Sequence, residues 1–337
     1  MSAHLEGLIH RVKQGLSAVE LVHVPHDRWP LPAHAAQPAP QPEPLHIAVL
    51  DSSFNPPTLA HLALALVPAS VRAPPTDVSG APRALPALGA RLLLLSVRNA
   101  DKSLKAHDAT YAQRLAMMVR LAQDVAAPRA QQVLADAQPG THAAQSALDD
   151  PNVAVAIIDE PTFVGKSQVL HEWLQTRLAA LGSGQAAQHA PQEQPRGSLS
   201  PPVPKPELDF LVGIDTLERI IAARYYGDSE DSMRQSLRQF LSAEGDGSRL
   251  VCARRITPGS AESPEDRERR VAKASCKYIE PERVTMIDIG EVVESYSSSE
   301  VREKISQLDT AWTRMVPPSI ADYIRSEHLY LPSNEQH

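Results

Sequence analysis

Short aliphatic runs recur along the chain and end at turn residues or charged residues. Runs of five to seven residues without polar alternation indicate strands that are buried on both faces, as in a parallel sheet. The predicted strands are His46–Leu50, Arg91–Val97, Val153–Ile158, Asp209–Ile214, Arg249–Ala253 and Val284–Ile289.

Stretches with helical spacing of apolar residues fill the intervals between these runs. Their alternation with the strands predicts an α/β protein with a parallel sheet and helices on both of its faces. The predicted helices are Thr58–Leu66, Thr110–Gln123, Ser167–Leu181, Ser232–Leu241, Ser298–Leu308 and Pro318–Glu327.

Four segments rich in Pro, Ala and Gln interrupt this alternation. The chain has 30 prolines against 15 glycines, and many of the prolines lie in these segments. Biased composition of this kind predicts disordered inserts between folded elements. We therefore expect an N-terminal helix and flexible linker over residues 1–44, one domain over 45–331 with inserts near 68–88, 126–150 and 182–206, and a tail over 332–337.

The composition of the chain limits the classes of partner that the protein is expected to bind. The hydrophobic fraction is 42% and the aromatic fraction 4%, so the predicted core is aliphatic. A net charge of −7 lacks the basic footprint of nucleic-acid binding. No apolar stretch approaches the ~20 residues that span a bilayer, and no signal peptide is evident. We expect no nucleic-acid or membrane partner, a cytoplasmic or nuclear location, and buried free thiols at Cys252 and Cys276; the oligomeric state stays open.

The turn after the first predicted strand carries candidate chemistry. The stretch reads L-D-S-S-F-N-P-P-T-L-A-H, from Leu50 to His61. Pro56 and Pro57 suit a helix start, which places Thr58 and His61 on one face of the first turn. Parallel sheets bind ligands at the carboxyl ends of their strands, and the free N–H groups of a helix start suit a phosphate. We therefore predict a phosphate site at this turn.

The string S-F-N-P-P-T-x-x-H resembles the phosphate-binding signature of the nucleotidyltransferase superfamily with a (His/Thr)-x-Gly-His motif. E-S-Y-S-S-S-E-V-R, from Glu294 to Arg302, resembles the second signature of that superfamily, Ile-Ser-Ser-Thr-x-(Ile/Val)-Arg. The second string lies at a predicted helix start, where Ser298 or Ser299 is expected to cap and Arg302 to follow one turn later.

Further segments narrow the resemblance. F-L-V-G-I-D-T-L is similar to the Gly-x-Asp element of nicotinamide-nucleotide adenylyltransferases, on Gly213 and Asp215. S-V-R-N-A-D-K-S-L-K is similar to the segment with that family's phosphate-contacting lysine, at Lys102 or Lys105. The tail V-P-P-S-I-A-D-Y-I-R-S-E-H-L-Y resembles the closing helix, and D-S-S-F-N-P-P is most similar to the divergent fungal branch. The resemblance spans roughly residues 45–331.

The resemblance implies a Rossmann-like doubly wound fold and the transfer of AMP from ATP to nicotinamide mononucleotide, with Mg²⁺ on the triphosphate. Nicotinic acid mononucleotide is a possible second acceptor. His61 and Thr58 are then expected on the transferred and leaving phosphates, Ser299 and Arg302 at the β/γ end, and Lys102 or Lys105 on the acceptor phosphate. The further nucleotide-binding residues that it implies are Ser53, Phe54, Asn55, Gly213, Asp215 and Ser298; no protein metal ligand is implied.

Three positions depart from the family pattern. Ser52 and Ala60 stand where the family has glycine, and Tyr296 stands where it has isoleucine. Ser52 puts the catalytic rate in question more than the fold. The tryptophan that often stacks on nicotinamide in the family has no secure counterpart; Phe163 is a candidate, although a core phenylalanine is the simpler interpretation.

Other motifs fail. Gly165-Lys166-Ser167 suggests a P-loop, but the glycine required five positions earlier is Glu160. No G-x-G-x-x-G follows a strand, and no G-x-S-x-G accompanies a Ser298–His61–Asp215 triad. The alternatives that remain are a related nucleotidyltransferase with another phosphorylated acceptor or CTP, a nucleotide-binding protein of low turnover, and a scaffold that binds partners through its inserts.

Overall fold

The computed structural model of the chain describes residues 2–34, 43–67, 88–98, 108–137, 152–182, 203–254 and 262–332. Over these residues seven strands form one sheet, and helices cover both of its faces. The strands are β1 Val19–His23, β2 Leu45–Asp51, β3 Leu88–Ser96, β4 Val153–Ile158, β5 Pro206–Gly213, β6 Arg249–Ala253 and β7 Val284–Ile287. The helices are α1 Ser2–Lys13, α2 Leu59–Ala65, α3 Tyr111–Ala126, α4 Ala130–Ala137, α5 Phe163–Gly182, α6 Ile214–Ile220, α7 Glu230–Leu241, α8 Pro264–Ser275, α9 Glu291–Glu294, α10 Ser298–Ser306 and α11 Pro318–Ser326.

The strand order creates a switch point at the centre of the sheet. The order is β1-β4-β3-β2-β5-β6-β7, and every pair is parallel except β1 with β4. From β2 the chain winds outward through β3 and β4, then returns to the other side of β2 with β5. Ligands of doubly wound sheets bind where the winding reverses, which here is at the carboxyl ends of β2 and β5. The predicted doubly wound parallel sheet is confirmed.

The core is a double layer divided by the sheet. Alternate strand residues point to opposite faces, so β2 sends Ala48 and Leu50 to one layer and Ile47 and Val49 to the other. The first layer packs against α1, α2, α3, α10 and α11, and the second against α5, α6, α7 and α8. Aliphatic side chains fill both layers, as the composition predicts. Burial of this apolar surface is what fixes the register of each strand.

The N-terminal segment differs from the predicted linker. Helix α1 is present, but the chain then adds β1 to the edge of the sheet, and the fully buried Trp29 donates from Nε1 to the Asn152 carbonyl at 3.2 Å. The strand reads V-E-L-V-H, whose mixed polarity hides it from a search for aliphatic runs. Residues 19–34, which lie within the predicted N-terminal segment, are therefore folded against the sheet. The division of the chain at residue 44 stays a prediction.

Other elements lie where the sequence indicated none. Helix α4 occupies part of the predicted insert 126–150, and its residues Ala130, Val133 and Leu134 pack into the core layer that also holds α2 and α3. The inserts near 68–88 and 182–206 fall almost entirely outside the described residues. Cys252 is buried as predicted, whereas Cys276 is exposed at the C-terminal end of α8. No helix in the described part of the chain has the length and apolar character to cross a membrane.

Candidate active site

The turn after β2 leaves the sheet at the switch point and is tightly constrained. Phe54 has a φ of +45° and a fully buried side chain, and the Asn55–Pro56 peptide bond is cis. A bulky residue with positive φ costs about 1–3 kcal/mol, which the surrounding packing must supply. The Phe54 ring lies 5.2 Å from the ring of His61, measured between centroids. Helix α2 then begins after Thr58, as predicted.

His61 is held in one tautomer by this turn. Its Nδ1 accepts the Thr58 backbone N–H at 3.0 Å and lies 3.0 Å from the Thr58 hydroxyl. Because Nδ1 is an acceptor, the neutral ring carries its proton on Nε2, which donates to the Ser52 hydroxyl at 2.9 Å. Burial lowers the pKa of His61 to about 4. The site therefore presents a neutral imidazole with an Nε2–H donor at neutral pH.

The lowered pKa of His61 predicts acid sensitivity. The unfolded chain protonates its histidine near 6.5 and the folded chain near 4, so acidification through this window favours the unfolded state. We expect the free energy of unfolding in urea to fall between pH 6.5 and 4.5, and to fall less in His61→Gln, which cannot take up that proton. Equal pH dependence in the two proteins would contradict the buried neutral ring.

The second motif contacts the first turn directly. Ser298 donates from Oγ to the Pro56 carbonyl at 2.7 Å, and Arg302 donates from Nη1 to the Asn55 carbonyl at 2.5 Å. Arg302 also lies 3.5 Å from the Ser299 hydroxyl. The cap of α10 is Ser297, so the prediction of Ser298 or Ser299 as the cap was wrong. The helix begins at Ser298, as its predicted range gave, and because Ser297 is the cap the Ser298 hydroxyl is left for the turn.

Asp108 is a central residue of the site that no motif revealed. Its carboxylate accepts from Asn55 Nδ2 at 2.7 Å and forms ion pairs with Arg114 and Arg302, each at 3.6 Å. The Asn55 Oδ1 atom accepts from the Tyr330 hydroxyl at 2.9 Å. Asn55, predicted as a nucleotide contact, thus joins the turn to the rest of the chain through its side chain. Apart from the nearby Arg114, these partners are distant in sequence, so no local spacing signals them.

A buried ion pair lies under the turn. Lys166 Nζ is 2.6 Å from the Asp51 carboxylate, with the two side chains only 5% and 10% exposed. The Lys166 ammonium also lies 5.0 Å from the ring centroid of Phe163. Phe163 in turn packs edge-on against Phe210 at 5.7 Å, which supports the interpretation as a core residue. The pair ties the end of β2 to the first turn of α5.

Gly213 and Asp215 lie at the end of β5, next to β2. A Cβ on Gly213 would meet no atom within 4 Å, so the backbone here borders open space. Asp215 lies in the first turn of α6 and accepts from Arg267 at 2.5 Å, and Arg267 also binds Glu218 at 2.6 Å. The Asp215 carboxylate is therefore directed to α8 by an arginine that sequence reasoning missed.

The predicted site residues fall into three groups. The largest surrounds the β2 turn, and there the Ser53 carbonyl also accepts from Arg114 at 3.5 Å. Gly213 and Asp215 form the second group, on the adjacent strand end. Lys102 and Lys105 lie outside the described residues. No group of three His, Cys, Asp or Glu side chains in the described ranges is arranged to hold a metal ion. The group around the turn comprises Ser53, Phe54, Asn55, Thr58, His61, Ser298, Ser299 and Arg302.

The structure brings the two predicted motifs together at the switch point of a doubly wound sheet. The chain is 26% identical over 286 residues to a Schizosaccharomyces pombe protein named "Putative nicotinamide mononucleotide adenylyltransferase", covering 83% of this chain and 84% of that one. The resemblance to nicotinamide-nucleotide adenylyltransferases that the motifs indicated is confirmed by this relative.

Solved structures of a Plasmodium falciparum nicotinic acid mononucleotide adenylyltransferase are also similar. The complex with APC has 13% identity and a TM-score of 0.43, and the complex with NaAD has 15% identity and a TM-score of 0.41. Each match covers 85% of this chain and 97% of that one. Neither likeness is close enough to carry an argument about this chain. No protein-family model matches the chain.

Proposed function

We propose that the protein is an adenylyltransferase that transfers AMP from ATP to nicotinamide mononucleotide, or to its acid analogue, and releases pyrophosphate. One observation carries the proposal: the second motif is seated on the first turn through Ser298 and Arg302, although more than 240 residues separate them. The two signatures of this reaction class thereby form one site at the switch point of the sheet. The named relative supports the same acceptor.

The reaction needs positioning rather than a strong base. A phosphate oxygen of the acceptor attacks the α-phosphorus of ATP, the bond from that phosphorus to the bridging oxygen breaks, and pyrophosphate leaves with the electron pair. The attacking phosphate is already ionised at neutral pH, so no proton has to be removed from it. Catalysis of this type depends on alignment and on donors directed at the charge that develops on the phosphates.

The side chains around the turn supply such donors. His61 offers an Nε2–H while neutral, and its ring is fixed by Thr58 and Phe54. Arg302 carries a positive charge at the edge of the same turn, where its partners in the protein are two backbone carbonyls, the Ser299 hydroxyl and the Asp108 carboxylate. We assign the His61 side of the turn, where the Nε2–H is directed at the Ser52 hydroxyl, to the α-phosphate and Arg302 to the β/γ end of the triphosphate. Mg²⁺ enters as part of the substrate, bound to ATP.

Pyrophosphate release with ATP and Mg²⁺ tests this function against a panel of acceptors. The panel contains nicotinamide mononucleotide, nicotinic acid mononucleotide, phosphopantetheine and simple sugar phosphates, with CTP as the alternative nucleotide. We expect release with ATP and the two pyridine mononucleotides alone, and the matching dinucleotide as the second product. Release only with another acceptor or with CTP would identify a related transferase instead. Tight ATP binding without release would identify a binding protein of low turnover.

A further inference from the structure

We propose that the Ser52 hydroxyl is a phosphate-contacting group of this site, which accepts a hydrogen bond from His61 and donates its own proton to a phosphate oxygen of the nucleotide. The inference rests on the proposed function. Glycine holds this position in the family, whereas in this chain the serine side chain takes part in binding the phosphate.

The hydrogen-bond directions follow from the fixed tautomer of His61. Nδ1 accepts from the Thr58 backbone, so the ring donates from Nε2 to Ser52 at 2.9 Å. A hydroxyl that accepts one bond still carries a proton to donate. Because hydrogen bonds in a chain polarise one another, a hydroxyl that accepts from an N–H is a stronger donor than an isolated one.

The position of Ser52 directs this donor to the ligand side of the sheet. Ser52 is the first residue after β2, at the switch point, and it is partly exposed, unlike the fully buried Phe54. Its backbone N–H bonds the Leu94 carbonyl at 3.4 Å, which holds the residue at the strand end. Asp51, immediately before it, is fixed by Lys166 at 2.6 Å. Ser52 is therefore anchored through its own backbone N–H and through the residue before it, and its side chain is partly exposed at the strand end.

The alternative role for Ser52 is that of an obstacle, since its side chain occupies space that glycine leaves free. The two roles predict opposite results for Ser52→Gly. If the Ser52 side chain blocks the nucleotide and engages the Nε2–H of His61, the glycine variant removes that block and its turnover should rise. A donor would be lost in Ser52→Gly and Ser52→Ala alike, and turnover would fall by roughly 10- to 100-fold, the scale of one hydrogen bond to a charged group.

The test measures kcat and the KM for ATP in Ser52→Ala, Ser52→Gly and Ser52→Thr, each with and without His61→Ala. We expect kcat to fall in the alanine and glycine variants, to recover in part in the threonine variant, and to change less than about threefold when Ser52→Ala is added to His61→Ala. Such non-additivity identifies two groups that act as one unit. Ser232→Ala, on the exposed face of α7, is the matched control and should leave kcat unchanged.

Two results would overturn the proposal: a kcat for Ser52→Gly at or above that of the wild type, or full additivity with His61→Ala. Failure of the proposed function is distinguishable, because then the wild-type chain itself releases no pyrophosphate. In that case calorimetric titration with MgATP replaces turnover. Weaker binding in Ser52→Ala than in the wild type supports the phosphate contact, and equal binding, or no binding by either protein, rejects it.

Discussion

Replacing His61 with alanine is expected to lower kcat by roughly 10²–10³, the scale of losing one donor to the transition state. The ring donates from Nε2 because Thr58 occupies Nδ1, and its pKa of about 4 keeps it neutral across the working pH range. The loss should appear in kcat more than in KM, since the charge on the α-phosphate grows as the reaction proceeds. Steady-state rates of pyrophosphate release measure it.

Two variants serve as controls, one for the loss of packing at position 61 and one for the loss of a histidine elsewhere in the chain. His61→Gln retains a donor group near the position of Nε2 and should keep more activity than His61→Ala. His10→Ala removes a histidine from the exposed face of α1 and should have no effect. A wild-type kcat in a folded His61→Ala protein would remove His61 from the mechanism.

Replacing Lys166 with methionine is expected to destabilise the protein by about 3–5 kcal/mol, the cost of leaving a buried charge without its partner. Methionine retains most of the apolar stem, so the lost ammonium dominates the effect. The remaining Asp51 carboxylate is 10% exposed and has little access to water. Urea unfolding at neutral pH, with the slope against denaturant unchanged, measures the difference.

A double variant separates charge from packing. Asp51→Asn together with Lys166→Met removes both charges and should be more stable than Lys166→Met alone. Arg269→Met breaks the pair with Asp266, whose side chains are 76% and 61% exposed, and should cost less than about 1 kcal/mol. Equal losses of unfolding free energy in Lys166→Met and Arg269→Met would show that the buried pair stabilises the protein no more than the exposed pair does.

The central strands were predictable because a strand that is buried on both faces of the sheet has a continuous aliphatic run in its sequence. Strand β1 escaped prediction because it lies at the edge of the sheet and carries Glu20 and His23. Helix α8 escaped because it lies on the surface and reads P-E-D-R-E-R-R-V-A-K-A-S, with Val271 as its only large apolar residue. Elements that bury few apolar residues or that lie at the edge of a sheet leave little periodic signal.

The same division holds for the site. Thr58, His61 and Arg302 were predictable from two local strings, and the structure brings those strings together. Asp108 and Tyr330 were not, because their roles depend on contacts with Asn55 across 53 and 275 positions in sequence. A carboxylate between two arginines is a product of the tertiary fold, which the sequence on either side of it does not encode locally.

The seating of the second motif on the first turn has a consequence for the order in which the site matures during synthesis. The ribosome makes the turn before α10, so the Asn55 and Pro56 carbonyls meet their partners there only after Arg302 has been made. The Asn55 side chain can form its hydrogen bond with Tyr330 only later still. A nascent chain therefore carries the sheet's central strand and its turn long before the turn has its final partners, and the site is completed only after Tyr330 has emerged.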